Sequence, residues 1–227
     1  DSRSDRKNLA IFTILLSVSI INSFVYTALT VALAPIMSEM AVSASTVQWL
    51  TSAYSLVMGI MVLATAYLIK RFPAKRLFQT NMFIFMTGLL LSALAGNFYV
   101  LLAGRLLQAA ASGIQMSLTQ VVILTIFPAG KRGTIMGIFG LAVTAAPVIA
   151  PTLAGLLIDA SDWPMIFWIS LFLTAVVSIV GFFLMENLTV NEKQRFDLLS
   201  MVLCSASLTG LLIGVGQIGS YAKAPLM

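Results

Sequence analysis

The feature that most constrains this chain is a series of long apolar runs separated by short polar turns. Seven of them, at 9–37, 47–69, 77–96, 99–127, 134–158, 165–186 and 198–218, reach the length of about 20 residues that a bilayer crossing needs. Only 9% of the 227 residues are charged, against roughly 25% in a soluble domain. A body with so little polar surface needs lipid as its solvent, and lipid admits only helices or closed barrels. Barrel strands would alternate in polarity over segments of about 10 residues, whereas these runs are continuous. The expected fold class is all-α integral membrane. The first run is too long, and too poor in a small-residue cleavage site, to be a removable signal peptide.

The basic residues set the orientation. Arg3, Arg6 and Lys7 precede the first run. Lys70, Arg71, Lys75 and Arg76 join the second to the third, Lys131 and Arg132 the fourth to the fifth, and Lys193 and Arg195 the sixth to the seventh. Eleven of the thirteen Lys and Arg thus fall on one side. The opposite turns hold Glu39, Asp159 and Asp162 and no basic residue before Lys223. The positive-inside rule makes the basic side cytoplasmic, with the N-terminus there and the chain multi-pass in the cell membrane. The net charge of +5 is therefore read as a topology signal and not as a nucleic-acid surface.

Composition also removes several chemistries. With no histidine and the single cysteine Cys204, neither a Ser/His/Asp triad nor a disulfide framework is possible. The usual soft-metal ligand sets are missing as well. No enzyme activity, cofactor or metal is expected.

One charge remains inside a run. Arg105 lies about two turns from the outer end of the fourth run, where an arginine costs several kcal/mol unless it finds a partner or a wet cavity. Snorkelling to the headgroups is the bland alternative, and the depth favours a place in the bundle interior. At helical spacing Arg105, Gln108, Ala109 and Ser112 share one face, and the small residues let a neighbouring helix approach. The fifth run carries Gly137, Gly140, Pro147, Pro151, Ala154 and Gly155, which read as a kinked helix with a smooth face.

Taken together and in this order, these segments resemble the N-terminal portion of a major facilitator superfamily transporter, closest to its 14-span drug:proton antiporter branch. Arg105 and Gln108 match the RxxQG-type motif of helix four, with Ala109 at the glycine. Ala150-Pro151-Thr152-Leu153-Ala154-Gly155 is similar to the GPxxGG antiporter motif of helix five. The segments Val47–Tyr54, Phe127–Gly133 and Arg195–Leu199 resemble the family's opening of helix two, its loop between helices four and five, and its entry to helix seven. The resemblance implies a cytoplasmic N-terminus at 1–8 and a six-helix N-terminal bundle of the major facilitator fold at 9–186. A cytoplasmic loop at 187–197, a seventh transmembrane helix at 198–218 and an extracytoplasmic tail at 219–227 would follow.

The transport site of such proteins lies between two bundles that rock around it. This chain is accordingly expected to be a fragment whose partner is the missing C-terminal half. Helices one and four, with parts of two and five, would line the cavity, and Asn22, Tyr26, Gln115 and Met116 are the residues expected there. Arg105 and Gln108 would serve transport and coupling. Gly140, Pro147, Pro151 and Gly155 would form the gating seal, and Lys70, Arg71, Lys75 and Arg76 the cytoplasmic basic loop. The implied function is export of lipophilic or cationic drugs, with the bilayer as medium and protons as coupling ion.

Several positions depart from the family pattern. Lys70 stands at the acidic position of the loop after helix two, and Pro73 at one of its glycines. Val25 replaces the intramembrane aspartate of helix one, and Pro164 follows Trp163 where an arginine is usual. No Asp or Glu is left deep in any run, although proton coupling calls for a buried carboxylate tuned toward working pH. A facilitator of a lipid or metabolite shares the same scaffold logic. A seven-helix receptor would place its N-terminus outside, and a retinal protein would need a lysine in the run at 198–218.

Overall fold

The computed structural model describes residues 2–185, with side chains from residue 5, together with the isolated positions 207 and 210. The expected loop at 187–197, seventh helix at 198–218 and tail at 219–227 lie outside the described residues. Seven helices follow in order: α1 (Ser2–Glu39), α2 (Ala44–Val47), α3 (Trp49–Arg71), α4 (Ala74–Ala93), α5 (Phe98–Ile126), α6 (Ala129–Ala160) and α7 (Met165–Leu184). The short α2 leads into α3, so six long helices make up the bundle, and no strand occurs among the described residues.

The turns that separate the helices follow from local chemistry. At two of them the same dipeptide stops a helix. Phe72 and Phe127 sit in extended backbone (φ −119, ψ 143 and φ −100, ψ 141), each just before a proline, Pro73 or Pro128, that opens the next helix. A residue that precedes proline is pushed out of the helical region, and proline lacks the N–H that a first helical turn leaves unpaired anyway. At the other end of the bundle, Asn97 caps α5 by accepting from the Val100 amide at 3.0 Å, and Ser43 caps α2 from Thr46 at 3.2 Å.

Helix α1 is 38 residues long, more than a single crossing needs, and its first turns reach past the bundle. There Asn8 Nδ2 donates to the Ile126 carbonyl at 3.0 Å, and Asp5 lies 3.9 Å from Lys131. Lys75 sits 5.8 Å from the Phe182 ring centre. These contacts bring the start of α1, the α5–α6 turn, the start of α4 and the end of α7 to one end, where the expected basic clusters collect. Trp163, buried beside α7, donates its indole N–H to Glu39 and ties that helix to α1 at the opposite end.

Five helices are long and apolar enough to cross a membrane: 5–39, 44–71, 98–126, 129–160 and 165–184. Helix α4, expected from the sequence as a span at 77–96, is not among them. Its first two turns carry Lys75, Arg76, Gln79, Thr80 and Asn81, which lower its hydropathy. Its place in the bundle rests on packing, for ten of its residues, from Ala74 to Ala93, are buried.

Helices α1 and α5 are the two centres. The first packs on α6 and α7, the second on α3 and α4, the two touch each other, and α4 meets α7. Exchanging α1 with α5, α3 with α6 and α4 with α7 maps these principal contacts onto themselves. That is the signature of two three-helix repeats, α1-α3-α4 and α5-α6-α7. One apolar core occupies the half towards Glu39 and Trp163, around Leu29, Leu50, Phe85, Leu101 and Phe167. A second fills the half towards the basic clusters, around Leu15, Phe78, Ile114 and Leu118. Large apolar side chains such as Phe83, Phe172 and Phe183 point outward, an arrangement that fits a bundle with lipid as its solvent.

Candidate transport cavity and its buried arginine

The small residues of α4 and α5 decide what the bundle centre holds. A Cβ on Gly104 would stand 2.5 Å from Ser92 Oγ and 2.8 Å from the Gly88 carbonyl, and one on Gly88 would meet the Gly104 carbonyl at 2.8 Å. Backbones this close exclude any larger side chain. Gly113 plays the same part against α3, where a Cβ would lie 2.6 Å from the Met58 carbonyl. Helix α5 is thereby clamped between α3 and α4, with its polar face inside.

Arg105 stands on that face with 0% of its surface exposed. It points into the bundle and does not snorkel. Its Nη1 donates to Gln108 Oε1 at 2.7 Å. Gln108 Nε2 in turn donates to the Gly88 carbonyl at 2.9 Å and to Ser92 Oγ at 2.8 Å. On the α3 side the guanidinium carbon lies 4.3 Å from the centre of the Tyr54 ring, a cation–π contact strengthened by desolvation. The Tyr54 and Ser112 hydroxyls are 2.7 Å apart. Arg105 Nε and Nη2 have no hydrogen-bond partner among the described residues. No acidic residue pairs with the guanidinium there either: the fixed charge rests on an aromatic face and an amide.

Next to this unit lies a cavity of about 440 Å³ between α1, α3, α5 and α6. Asn22, Tyr26, Gln115 and Met116 line it, together with Tyr54, Met58, Ser112 and Phe139. Tyr26 and Tyr54 pack together, ring centres 5.1 Å apart and planes tilted by 38°. Tyr54 is therefore shared between the arginine against its ring and the cavity it lines. Gln115 is tied down. Its Oε1 accepts from Asn81 Nδ2 at 3.1 Å, and its Nε2 donates to Thr119 Oγ1 at 3.1 Å. Its amide thus braces α5 against α4. A second groove of about 500 Å³ between α1, α6 and α7 is lined by Ile20, Phe24, Ile149, Leu153 and other apolar side chains, on the side away from α3.

The remaining expected residues are placed as follows. Gly140 and Pro151 are exposed on α6 and Pro147 and Gly155 are half-buried, while Ala146, Ala150 and Ala154 form the buried side of that helix. A Cβ on Gly140 or Gly155 would meet nothing within 4 Å. Neither glycine is thus packed against another described residue. Lys70, Arg71 and Arg76 are exposed and Lys75 is half-buried, around the Phe72-Pro73 turn.

Tyr54, Ser92, Gly88 and Gly104 are the functional neighbours that sequence reasoning did not assign. The signal that could have found Gly104 is its position directly before Arg105. For Tyr54 no local signal exists, because its partner lies 51 positions away, on α5.

An all-helical bundle with two repeats around an open central cavity defines half of a membrane transporter of the facilitator type. The chain belongs to the Major Facilitator Superfamily, whose profile matches residues 15–222. It is 43% identical over 195 residues to the uncharacterized MFS-type transporter YcnB of Bacillus subtilis, covering 86% of this chain and 41% of that protein. To the lincomycin resistance protein LmrB of the same organism it is 38% identical over 213 residues, covering 94% and 44%. The multidrug export protein EmrB of Haemophilus influenzae is 25% identical over 186 residues, covering 82% and 35%. The chain thus spans well under half the length of these relatives. Among solved structures, a bacterial homolog of the lysosomal transporter Spinster superposes with a TM-score of 0.71 at 17% identity, over 86% of this chain and 47% of that one. A POT peptide transporter does so at 0.71 and 14%, over 95% and 46%. The fold is that of these transporters, and neither the family nor its structural neighbours are enzymes.

Proposed function

We propose that this chain is the N-terminal half of a secondary transporter that exports lipophilic or cationic drugs across the cytoplasmic membrane. It works by alternating access and belongs to the drug:proton antiporter branch. The observation that carries this reading is the pairing of an open, largely apolar cavity with the buried Arg105–Gln108–Tyr54 unit on its wall. Relatives named for lincomycin resistance and multidrug export support it. The N-terminus lies in the cytoplasm, and a second bundle closes on the exposed face of α6 through Gly140, Pro147, Pro151 and Gly155.

Coupling centres on Arg105. Its two unpaired nitrogens, Nε and Nη2, hold water in the bundle, and its charge favours proton release from any acid brought beside it. That acid belongs to sequence outside the described residues, because Val25 occupies the helix-one position where the branch has its aspartate. The drug cavity recruits substrate by shape, with Met58 and Met116 as adaptable thioethers.

The test is efflux of a lipophilic dye from vesicles holding the full-length protein, with and without a proton gradient. Efflux that accelerates with the gradient is expected, and an unchanged rate would contradict proton coupling. A facilitator of a metabolite is the second reading, favoured by 26% identity to the riboflavin transporter RibZ of Clostridioides difficile. It would appear as vitamin or metabolite flux without dye efflux.

A further inference from the structure

Helix α4 changes character along one face. Lys75, Gln79 and Met86 lie within about 40° of one another around the helix axis, and all three are half-buried. Lys75 stands in the first turn, two residues after Pro73. Met86 is about 16 Å further along the axis, at a rise of about 1.5 Å per residue. One side of this helix therefore runs from a cation through an amide to apolar carbon and sulfur, the order of groups in an amphiphile.

Helix α7 supplies the opposite wall. A shallow groove of about 430 Å³ runs between the two helices, lined by Met86 on α4 and by Ala175, Ser178, Ile179, Phe182 and Phe183 on α7. Ile179, Phe182 and Phe183 are all exposed, so the groove opens outward, to the lipid side of the bundle. Lys75 Nζ lies 5.8 Å from the centre of the Phe182 ring. Phe182 thus belongs both to the groove wall and to the support of the lysine, which puts a cation at the end of the groove nearest the basic clusters. Arg71 and Arg76 are exposed around the same Phe72-Pro73 turn and extend the positive charge.

In a bilayer this arrangement sets the cation at headgroup level and the apolar walls in the hydrocarbon. Basic pockets between transmembrane helices attract anionic headgroups. A zwitterionic headgroup brings a second cation beside Lys75, which offsets part of the attraction.

Independently of the export reading, we propose that the α4–α7 groove is a binding site for one anionic phospholipid. Lys75 Nζ holds its phosphate, and Met86, Ile179, Phe182 and Phe183 cover an acyl chain. The bound lipid bridges α4 and α7, two helices that belong to different repeats.

The test is native mass spectrometry of the full-length protein, exchanged in detergent into equal amounts of phosphatidylglycerol and phosphatidylcholine with matched acyl chains. The wild type is expected to retain phosphatidylglycerol over phosphatidylcholine by about fivefold, the scale of one lysine beside an anionic headgroup. Lys75→Gln lowers that preference several-fold. Lys131→Gln is the control, because Lys131 stands at the same end but 3.9 Å from Asp5 and not on the groove, and it leaves the preference unchanged. Ala175→Phe fills the groove and removes one retained lipid per protein. No preference in the wild type would overturn the proposal. So would a preference that survives Lys75→Gln, or one that falls equally with Lys131→Gln, the mark of diffuse attraction to the basic end. A lipid count unchanged by Ala175→Phe would overturn it as well, and would mean that another part of the protein covers the groove. The wild-type ranking decides without any variant, so a substitution that fails to fold does not shelter the idea.

Discussion

Arg105 shows how far a single residue can set a bundle's chemistry. A guanidinium taken wholly out of water is a large cost, and replacing both partners of a buried polar pair with apolar side chains of similar volume is often neutral or stabilising. The double variant Arg105→Met with Gln108→Leu is accordingly expected to keep or raise the Tm of the detergent-purified protein while gradient-driven efflux falls by at least about tenfold, a loss of roughly 1.4 kcal/mol in coupling. A lower Tm with full efflux would reverse the assignment and make the arginine structural. Gln108 is the opposite case. Gln108→Ala leaves the Gly88 carbonyl without its side-chain donor and frees Arg105 Nη1, so it should cost about 1–3 kcal/mol of stability, read as a lower Tm. Arg105 was legible in the sequence because an isolated charge in an apolar run is rare. The aromatic face that receives it was not, because Tyr54 comes to it through tertiary packing between helices distant in sequence.

At the scale of the helices, some boundaries were readable and others were not, for α1 starts at Ser2, well before the run at 9–37, and α6 at Ala129, before the run at 134–158. The runs at 99–127 and 165–186 match α5 (Phe98–Ile126) and α7 (Met165–Leu184) within two residues, because capping and Phe-Pro turns leave local marks. Helix α4 was read correctly as an element, though its polar first turns keep it below the hydropathy of a span. Only a partner on each side, α5 and α7, makes it part of the bundle. Which glycines matter was not legible. Gly104 and Gly113 sit at crossings where a Cβ meets atoms at 2.5–2.6 Å, while Gly140 and Gly155 meet nothing, and spacing alone does not distinguish the two pairs. Gly104→Val should therefore destabilise by about 1–3 kcal/mol through overpacking, whereas Gly140→Ala should leave the Tm of this half unchanged. A thermal-shift series on the two variants checks both, and equal shifts would mean that the α4–α5 crossing is looser than its geometry requires. If α6 closes against a second bundle, Gly140→Ala should still raise proton leak in intact vesicles.

For the whole molecule, the two-repeat arrangement leaves one face, along α1, α3, α5 and α6, with a cavity and without a cover. The lipid-facing sides carry Phe83, Phe172 and Phe183 instead. The central claim is that this cavity is the transport path, open to each side of the membrane in turn. The most direct measurement places one cysteine at a time in the full-length protein, in a background where Cys204 and every other native cysteine are replaced by serine. Met116→Cys probes the cavity, where Met116 is 43% exposed, and Phe183→Cys probes the lipid face, where Phe183 is 78% exposed. A membrane-impermeant maleimide is then applied from either side during turnover. Met116→Cys is predicted to react from both sides, with substrate slowing the reaction and Phe183→Cys unaffected by substrate. Labelling of Met116→Cys from one side only, at a rate indifferent to substrate, would contradict the account.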